Sequence, residues 1–198
     1  MLIKLDLSEH GRFRIETAGA KTNRPSSTDL KAILIYTGTS DKGGVEFKAL
    51  MSNFGTRAAR MDPQDRPIAK REMSEEIDWF EELAYRHRHP RLFQIAARML
   101  EAFSSWFCHI SLGEDKFPPL QRALTLLSEQ YLCDPTDPTP LITSAGMRIG
   151  LPQVRDLNEA RRLLDLASIA SRLTKPQRKL IADSYERLDK KSKSKRKK

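Results

Sequence analysis

The sequence predicts a mainly α-helical protein with a short N-terminal β element, and three observations support this prediction. Residues 1–18 alternate apolar and polar side chains, as in "IKLDLS" and "RFRIET", which is the period of a half-buried strand. From residue 74 to residue 110, apolar side chains recur every three or four positions, as they do on one face of a helix. Prolines such as Pro90 are expected to end one helix and begin the next.

The segment that follows the strands contains one ambiguous element. A polar loop ends at Ser26 in a pattern that resembles a capping box. The β-branched side chains of residues 30–37 favour a strand, whereas the start signal before them favours a short helix. We consider the helix slightly the better fit. Residues 45–61 carry one apolar helical face, and "DPQDRP" then breaks the chain at Pro63 and Pro67.

The C-terminal half predicts further helices and one long connector. "PPLQRALTLLSEQYL" is typical of a helix with prolines in its first turn. Residues 133–152 lack a helical period and contain several prolines, so we expect a loop or a rigid extended connector there. Two closing helices follow, "VRDLNEARRLLDLASIASRL" and "KPQRKLIADSYERL", the second with Thr174 as its N-cap and Pro176 in its first turn.

These elements divide the chain into three parts. Residues 1–61 form a strand-helix-helix-like region, residues 62–189 a helical region packed with it, and residues 190–198 a basic tail. The tail, "KKSKSKRKK", contains seven of the 35 basic side chains and no acidic one, so most of the net charge of +9 is concentrated there. We expect it to be disordered, since it has no apolar side chain to bury. It attracts polyphosphate through its charge, or else it only solubilises the chain.

Several classes of function are disfavoured by what the sequence lacks. The apolar runs are too short and too often interrupted for a membrane span, and the first residues contain no secretory signal, so a cytoplasmic protein is expected. Cys108 and Cys133 predict reduced core thiols rather than a disulfide framework. His87 and His89 have no metal-ligand spacing, and no catalytic motif is present. We therefore expect no enzyme, cofactor, metal or small-molecule substrate.

The polar row of "RFRIET" is the candidate recognition element. If two copies of the chain pair this strand antiparallel, Arg12, Arg14 and Glu16 face outward on a ribbon whose width fits the DNA major groove. Arginine suits guanine and glutamate suits the cytosine amino group. The alternative, an edge hairpin whose charges only prevent aggregation, is about equally compatible with this stretch.

Further basic side chains are candidates for phosphate contacts, which position a protein on a duplex without reading its sequence. They occur where a helix is expected to end in a loop, and in the tail. The set is Arg57, Arg60, Arg66, Lys70, Arg71, Lys195, Arg196 and Lys197.

Three stretches resemble one known family. These are the strand ending in "IET", the apolar helix "GVEFKALMSNFGTRAARMDP" and the closing pattern "DLNEARRLLDLASIASRLTKPQRKLI". They resemble the AcaB-type transcriptional regulators of conjugative plasmids and integrative elements. The resemblance implies a ribbon-helix-helix-like core elaborated by additional helices, in a homodimer that binds double-stranded DNA.

The sequence therefore predicts a dimeric DNA-binding transcriptional regulator. The alternative is a helical interaction or adaptor subunit of a nucleic-acid-processing or conjugative-transfer complex. In that case the polar strand is a sheet edge and the tail touches nucleic acid only incidentally.

Overall fold

Helices dominate the computed structural model, which describes residues 4–6, 14–16, 64, 66–106 and 115–195. This confirms the mainly helical fold class for that part of the chain. Its six α-helices are α1 (Arg66–His87), α2 (Pro90–Trp106), α3 (Phe117–Cys133), α4 (Thr139–Gly150), α5 (Leu157–Ser168) and α6 (Lys175–Lys195). A 3-10 turn, Pro152–Val154, connects α4 to α5.

A small β-hairpin precedes the helices. Strands β1 (Lys4–Asp6) and β2 (Arg14–Glu16) pair antiparallel within one chain. The register sets Ile15 opposite Leu5, so the two apolar positions share a face of the ladder. The helices predicted over 30–37 and 45–61 lie outside the described residues.

Helices α1, α2 and α3 form the first three-helix unit, with α2 in contact with both neighbours. Helix α2 is buried on most of its circumference, which explains its many apolar side chains. Its fully buried members include Leu92, Phe93, Ile95 and Met99. Helix α1 contributes a single buried stripe that includes Met73, Ile77 and Phe80, with the spacing that an amphipathic helix requires.

Two prolines lie at helix boundaries in this unit. Pro90 separates α1 from α2, as predicted, whereas Pro67 begins a helix where a break was predicted. Pro90 begins α2 two residues after Arg88, which adopts a left-handed backbone conformation with φ of 48° and donates its amide to the Ala84 carbonyl at 2.8 Å. Pro67 does not break the chain, because it lies in the first turn of α1, where no intrahelical N–H donor is needed.

Helices α4, α5 and α6 form the second three-helix unit, whose core includes Ile149, Leu164 and Leu188. Asp156 caps α5 by accepting the Glu159 amide at 2.9 Å. The two units share a border at α3 and α4, where Met147 of α4 belongs to the core of the first unit.

Helix α4 corrects the prediction of an extended connector over residues 133–152. Only residues 134–138 separate α3 from α4. Pro138 occupies the N-cap and Pro140 the first turn, both of which tolerate proline. Leu141, Ala145 and Ile149 are buried along one face and Met147 on another, and Arg148 is the only charged side chain of the helix, so its sequence lacks the polar face by which an amphipathic helix is recognised.

The C-terminal end of α6 corrects the prediction of disorder from residue 190. The helix continues through Lys195, and residues 196–198 lie outside the described part. Extending an existing helix costs far less than starting one, and lysine is a good helix former. Local interactions assist: Lys190 pairs with Glu186 at 2.6 Å, and the Ser192 hydroxyl donates to the Leu188 carbonyl at 3.0 Å.

Candidate nucleic-acid interface

The predicted base-reading residues are described only in part. Arg12 lies outside the described residues, whereas Arg14 and Glu16 lie in β2. The register sets Arg14 opposite Asp6 and Glu16 opposite Lys4, so each residue has a residue of opposite charge as its cross-strand neighbour. Such pairing is the usual composition of a stable hairpin face. It matches the edge-hairpin alternative as well as it matches a ribbon.

The predicted phosphate-contacting residues do not form one cluster. Arg57, Arg60, Arg196 and Lys197 lie outside the described residues. Arg66, Lys70 and Arg71 lie in the first two turns of α1, with Lys70 half-buried and Arg71 exposed. Lys195 is the last residue of α6. These two groups therefore belong to different three-helix units.

Ion pairs hold at least four of the nine basic side chains in residues 66–138. Arg122 of α3 is the clearest case, because it reaches two carboxylates of α1, at 2.6 Å to Asp78 and 2.5 Å to Glu81. Partial burial, the largest single cause, lowers the pKa of this guanidinium, but the hydrogen bonds and the negative charges of Asp78 and Glu81 together outweigh it, so the pKa is raised. The other pairs in this unit are Arg86 with Glu82, Arg88 with Glu129 and Arg98 with Glu101.

The second unit carries an excess of positive charge. Residues 139–195 contain thirteen basic and six acidic side chains, whereas residues 66–138 contain nine basic and twelve acidic ones. Three of the thirteen are neutralised, in the pairs Arg161–Asp189, Arg162–Glu159 and Lys190–Glu186. Eight others form no ion pair with any residue that the structure describes: Arg148, Arg155, Arg172, Lys175, Arg178, Lys179, Arg187 and Lys193.

Two neighbouring arginines, Arg162 and Arg148, stabilise the negative charge of Glu159. Arg162 donates to both of its carboxylate oxygens, from Nε and Nη2, each at 2.7 Å. This bidentate contact is the main reason why the pKa of Glu159 is lowered, and the positive charge of Arg148 adds to it. The Nε of Arg148 is itself buried without a hydrogen-bond partner in the described part of the chain.

Contacts between α5 and α6 fix the orientation of the basic helix. The Tyr185 hydroxyl of α6 donates to Asp165 of α5, and the Arg161 guanidinium lies 5.9 Å from the centre of the Tyr185 ring. Partial burial and the hydrogen bond to the Asp165 carboxylate raise the pKa of Tyr185 to about 12. The tyrosine is therefore neutral at physiological pH, and its hydrogen bond to Asp165 connects α6 to α5.

Gln177 fixes the start of α6. Its side-chain oxygen accepts from the Thr174 amide and hydroxyl, both at 2.9 Å, and the Gln177 amide donates back to the Thr174 hydroxyl at 3.3 Å. This arrangement is a capping box, which confirms Thr174 as the N-cap. The Gln177 side-chain nitrogen also donates to Asp137 Oδ1 and Thr139 Oγ1 at the start of α4, each at 3.1 Å.

Apart from Lys195, the basic residues of α6 were not among the predicted site residues. Their signal was present in the sequence: once helical spacing is assigned to "KPQRKLIADSYERLDKKSK", Lys175, Lys179, Lys190 and Lys193 share one face. The assumption that order ends at residue 189 separated the tail from the helix and concealed this face.

The described residues contain no group of three or more histidine, cysteine or acidic side chains that could hold a metal ion. Cys133 is a half-buried free thiol beside the core of the first unit. No helix among these residues has the length and apolar character needed to cross a membrane. No family model, curated protein or solved structure matches this chain.

Proposed function

We propose that the protein is a DNA-binding protein whose second three-helix unit contacts the phosphate backbone. The observation that carries the proposal is the set of eight basic side chains in that unit for which the described residues provide no ion pair. Seven of these eight are exposed; Arg148 is half-buried.

Exposed, unneutralised cations are what a polyanion requires. A protein cation that binds a phosphate releases a condensed counterion from the nucleic acid, and this release favours association at moderate salt. A cation that is already paired with a carboxylate gains less, because it must first give up its partner. The paired surface of the first unit therefore contributes less than the second unit does.

The finer proposal is a homodimeric transcriptional regulator that reads double-stranded DNA through its N-terminal β element. Its support is the resemblance to the AcaB-type regulators and the presence of Arg14 and Glu16 on a strand. In this arrangement the hairpin supplies base contacts and the second unit supplies phosphate contacts, which together give specificity and affinity.

A titration of the full chain into labelled genomic fragments tests the proposal. Binding is measured by fluorescence anisotropy at several salt concentrations. We expect binding whose logarithmic salt slope flattens by about 2 in the variant Arg178→Gln/Arg187→Gln. The matched control is Arg86→Gln/Arg98→Gln, which removes two cations that are paired with Glu82 and Glu101 and should leave the slope nearly unchanged. Absence of salt-dependent binding, or an equal effect of the control, would overturn the proposal.

A second candidate is a helical adaptor subunit, and exposed apolar side chains favour it. Ile169 after α5 is 77% exposed, Leu132 of α3 is 64% exposed and Leu180 of α6 is 52% exposed. Large apolar side chains at the surface are typical of protein interfaces when they form a contiguous patch. Loss of partner binding in Ile169→Asp, with unchanged DNA affinity, would favour the adaptor.

A further inference from the structure

We infer that α6 binds a duplex across a groove, with its two ends on the two phosphate backbones. This inference rests on the proposed DNA binding and specifies how the basic helix engages its partner. Its basis is the distribution of charge along the outward face of α6, which is defined here as the outer stripe. The stripe consists of Lys175, Lys179, Asp183, Glu186, Lys190 and Lys193.

The outer stripe lies opposite the buried face of α6. Ile181, Ser184 and Leu188 are buried, and spacings of three and four residues along the stripe keep its members on the other side of the helix. Every member of the stripe is exposed. The apolar face of α6 is used by the core, so the stripe is the surface that the helix offers to a partner.

The charges on the stripe are separated rather than mixed. Two lysines lie at each end, and the only acidic members, Asp183 and Glu186, lie in the middle. The inner lysines, Lys179 and Lys190, are eleven residues apart, which corresponds to about 16 Å along a helix. The outer lysines, Lys175 and Lys193, are about 27 Å apart by the same rise per residue.

This spacing fits a duplex groove better than a single strand. The major groove of B-DNA is about 12 Å wide, so a helix that crosses it must place cations somewhat further apart than that. The base edges on the groove floor include amino donors, which carboxylates can accept from. A single strand that followed the helix would instead pass its phosphates over Asp183 and Glu186, where like charges repel.

The ion pair within the stripe does not prevent this contact. Glu186 and Lys190 are 2.6 Å apart, but their side chains are 66% and 74% exposed. Pairs of this kind in solvent are weak, so a phosphate oxygen can replace the carboxylate at low cost.

The test compares a labelled 20-base-pair duplex with one of its single strands, using anisotropy on the full chain at about 0.1 M salt, where counterion release is readily measured. The leading variant is Lys175→Gln/Lys179→Gln and the trailing variant is Lys190→Gln/Lys193→Gln. The matched control, Arg155→Gln/Arg172→Gln, removes the same charge from exposed positions outside the stripe. Circular dichroism verifies that each variant is folded.

The two end variants should each weaken duplex binding about tenfold and single-strand binding about threefold or less, because a single strand reaches only one end at a time. The preference for duplex over single strand should therefore fall in both. The control should lower binding to both probes by one common factor and leave the preference intact. Asp183→Asn/Glu186→Gln should strengthen single-strand binding more than duplex binding.

If the end variants and the control all lower both affinities by the same factor, α6 acts only as a polycation and the groove inference is wrong, while the proposed DNA binding remains. If the wild-type chain binds neither probe, the proposed function itself fails. These two failures are therefore distinguishable.

Discussion

A single glutamine joins two helix starts in this protein. Gln177 completes the capping box of α6 with Thr174 and also donates to Asp137 and Thr139 at the start of α4. A threonine followed three residues later by glutamine is a signal that can be recognised in a sequence. The link to α4 is not, because it depends on a helix that no sequence periodicity indicated.

We expect Gln177→Ala to destabilise the fold by about 1–2 kcal/mol, since it removes hydrogen bonds at two helix termini. Gln177→Glu retains the acceptor for Thr174 but sets a second carboxylate beside Asp137, so its deficit should shrink as the pH falls toward about 4 and the introduced carboxylate takes up a proton. Urea unfolding measures both. A Gln177→Ala variant as stable as the wild type would contradict the assigned role.

Arg88 combines an unfavourable backbone conformation with favourable side-chain contacts. Its φ of 48° is one that glycine adopts more readily. Its side chain pairs with Glu129 at 2.7 Å and lies 5.6 Å from the centre of the Phe93 ring.

Arg88→Gly should be more stable than Arg88→Ala by about 1 kcal/mol, because both lose the same contacts and only alanine keeps the backbone strain. This order is the reverse of that within a helix, where alanine is favoured. Thermal unfolding of the two variants provides the comparison, and alanine being the more stable would show that the strain is absent.

At the scale of the helix, a hydrogen bond from Tyr185 links α6 to α5 in addition to their shared apolar core. The pKa of Tyr185 is raised from 10.0 to about 12 by burial and by its hydrogen bond to Asp165. A raised pKa means that the folded state retains the proton more strongly than the unfolded chain does. The associated stability is therefore complete below pH 10 and is lost as the pH rises toward 12.

Replacing Tyr185 with phenylalanine should reduce the loss of stability between pH 10 and pH 12 relative to the wild type. Urea unfolding of both proteins across that pH interval measures the difference between their free energies of unfolding. The titration of the other tyrosines and the lysines contributes equally to both proteins and therefore cancels. Equal slopes in the two proteins would contradict the proposed linkage.

The C-terminal end of α6 lies beyond the part of the helix that packs in the core. Among the residues whose burial the structure describes, Leu188 is the last buried one, and residues 190, 191 and 193 are exposed. Deletion of residues 190–198 should leave the unfolding temperature nearly unchanged while it weakens duplex binding and flattens the salt dependence. Parallel calorimetry and anisotropy test this, and an unchanged salt slope would show that the segment contacts no phosphate.

The sequence predicted the helices whose apolar side chains repeat every three or four positions, including the broadly buried α2, and it failed at α4. The stripes of α1, α3 and α6 alternate with polar faces, so their period of three to four residues was recognisable. In α4, Leu141 and Ala145 are buried on one side and Met147 on another, and the single charged residue, Arg148, leaves no polar face by which the helical period could be recognised. Proline was misread twice for one reason: Pro67 and Pro140 lie in first turns, where they start helices.

At the scale of the whole molecule, the two units differ in charge although both are helical. Acidic side chains outnumber basic ones over residues 66–138 and pair with Arg86, Arg88, Arg98 and Arg122, while much of the positive charge of the second unit is unpaired among the described residues. Composition predicted the overall basic character but assigned it to the tail alone. Residues 139–189 contain nine basic and six acidic side chains, so the second unit is already basic before the tail begins.

A homodimer remains a prediction at this scale. A ribbon that reads the major groove requires a strand from each of two copies, so light scattering should give about twice the 22.7 kDa chain mass. A monomer at micromolar concentration would remove the ribbon model and favour the adaptor.

Lysine footprinting by acetylation and mass spectrometry, with and without a saturating duplex, tests the central claim most directly. If the second unit contacts the phosphate backbone, the duplex should protect Lys175, Lys179 and Lys193 and leave Lys116 at the start of α3 as reactive as in the free protein. Equal reactivity with and without duplex at the three α6 lysines, or protection confined to Lys116, would contradict the account.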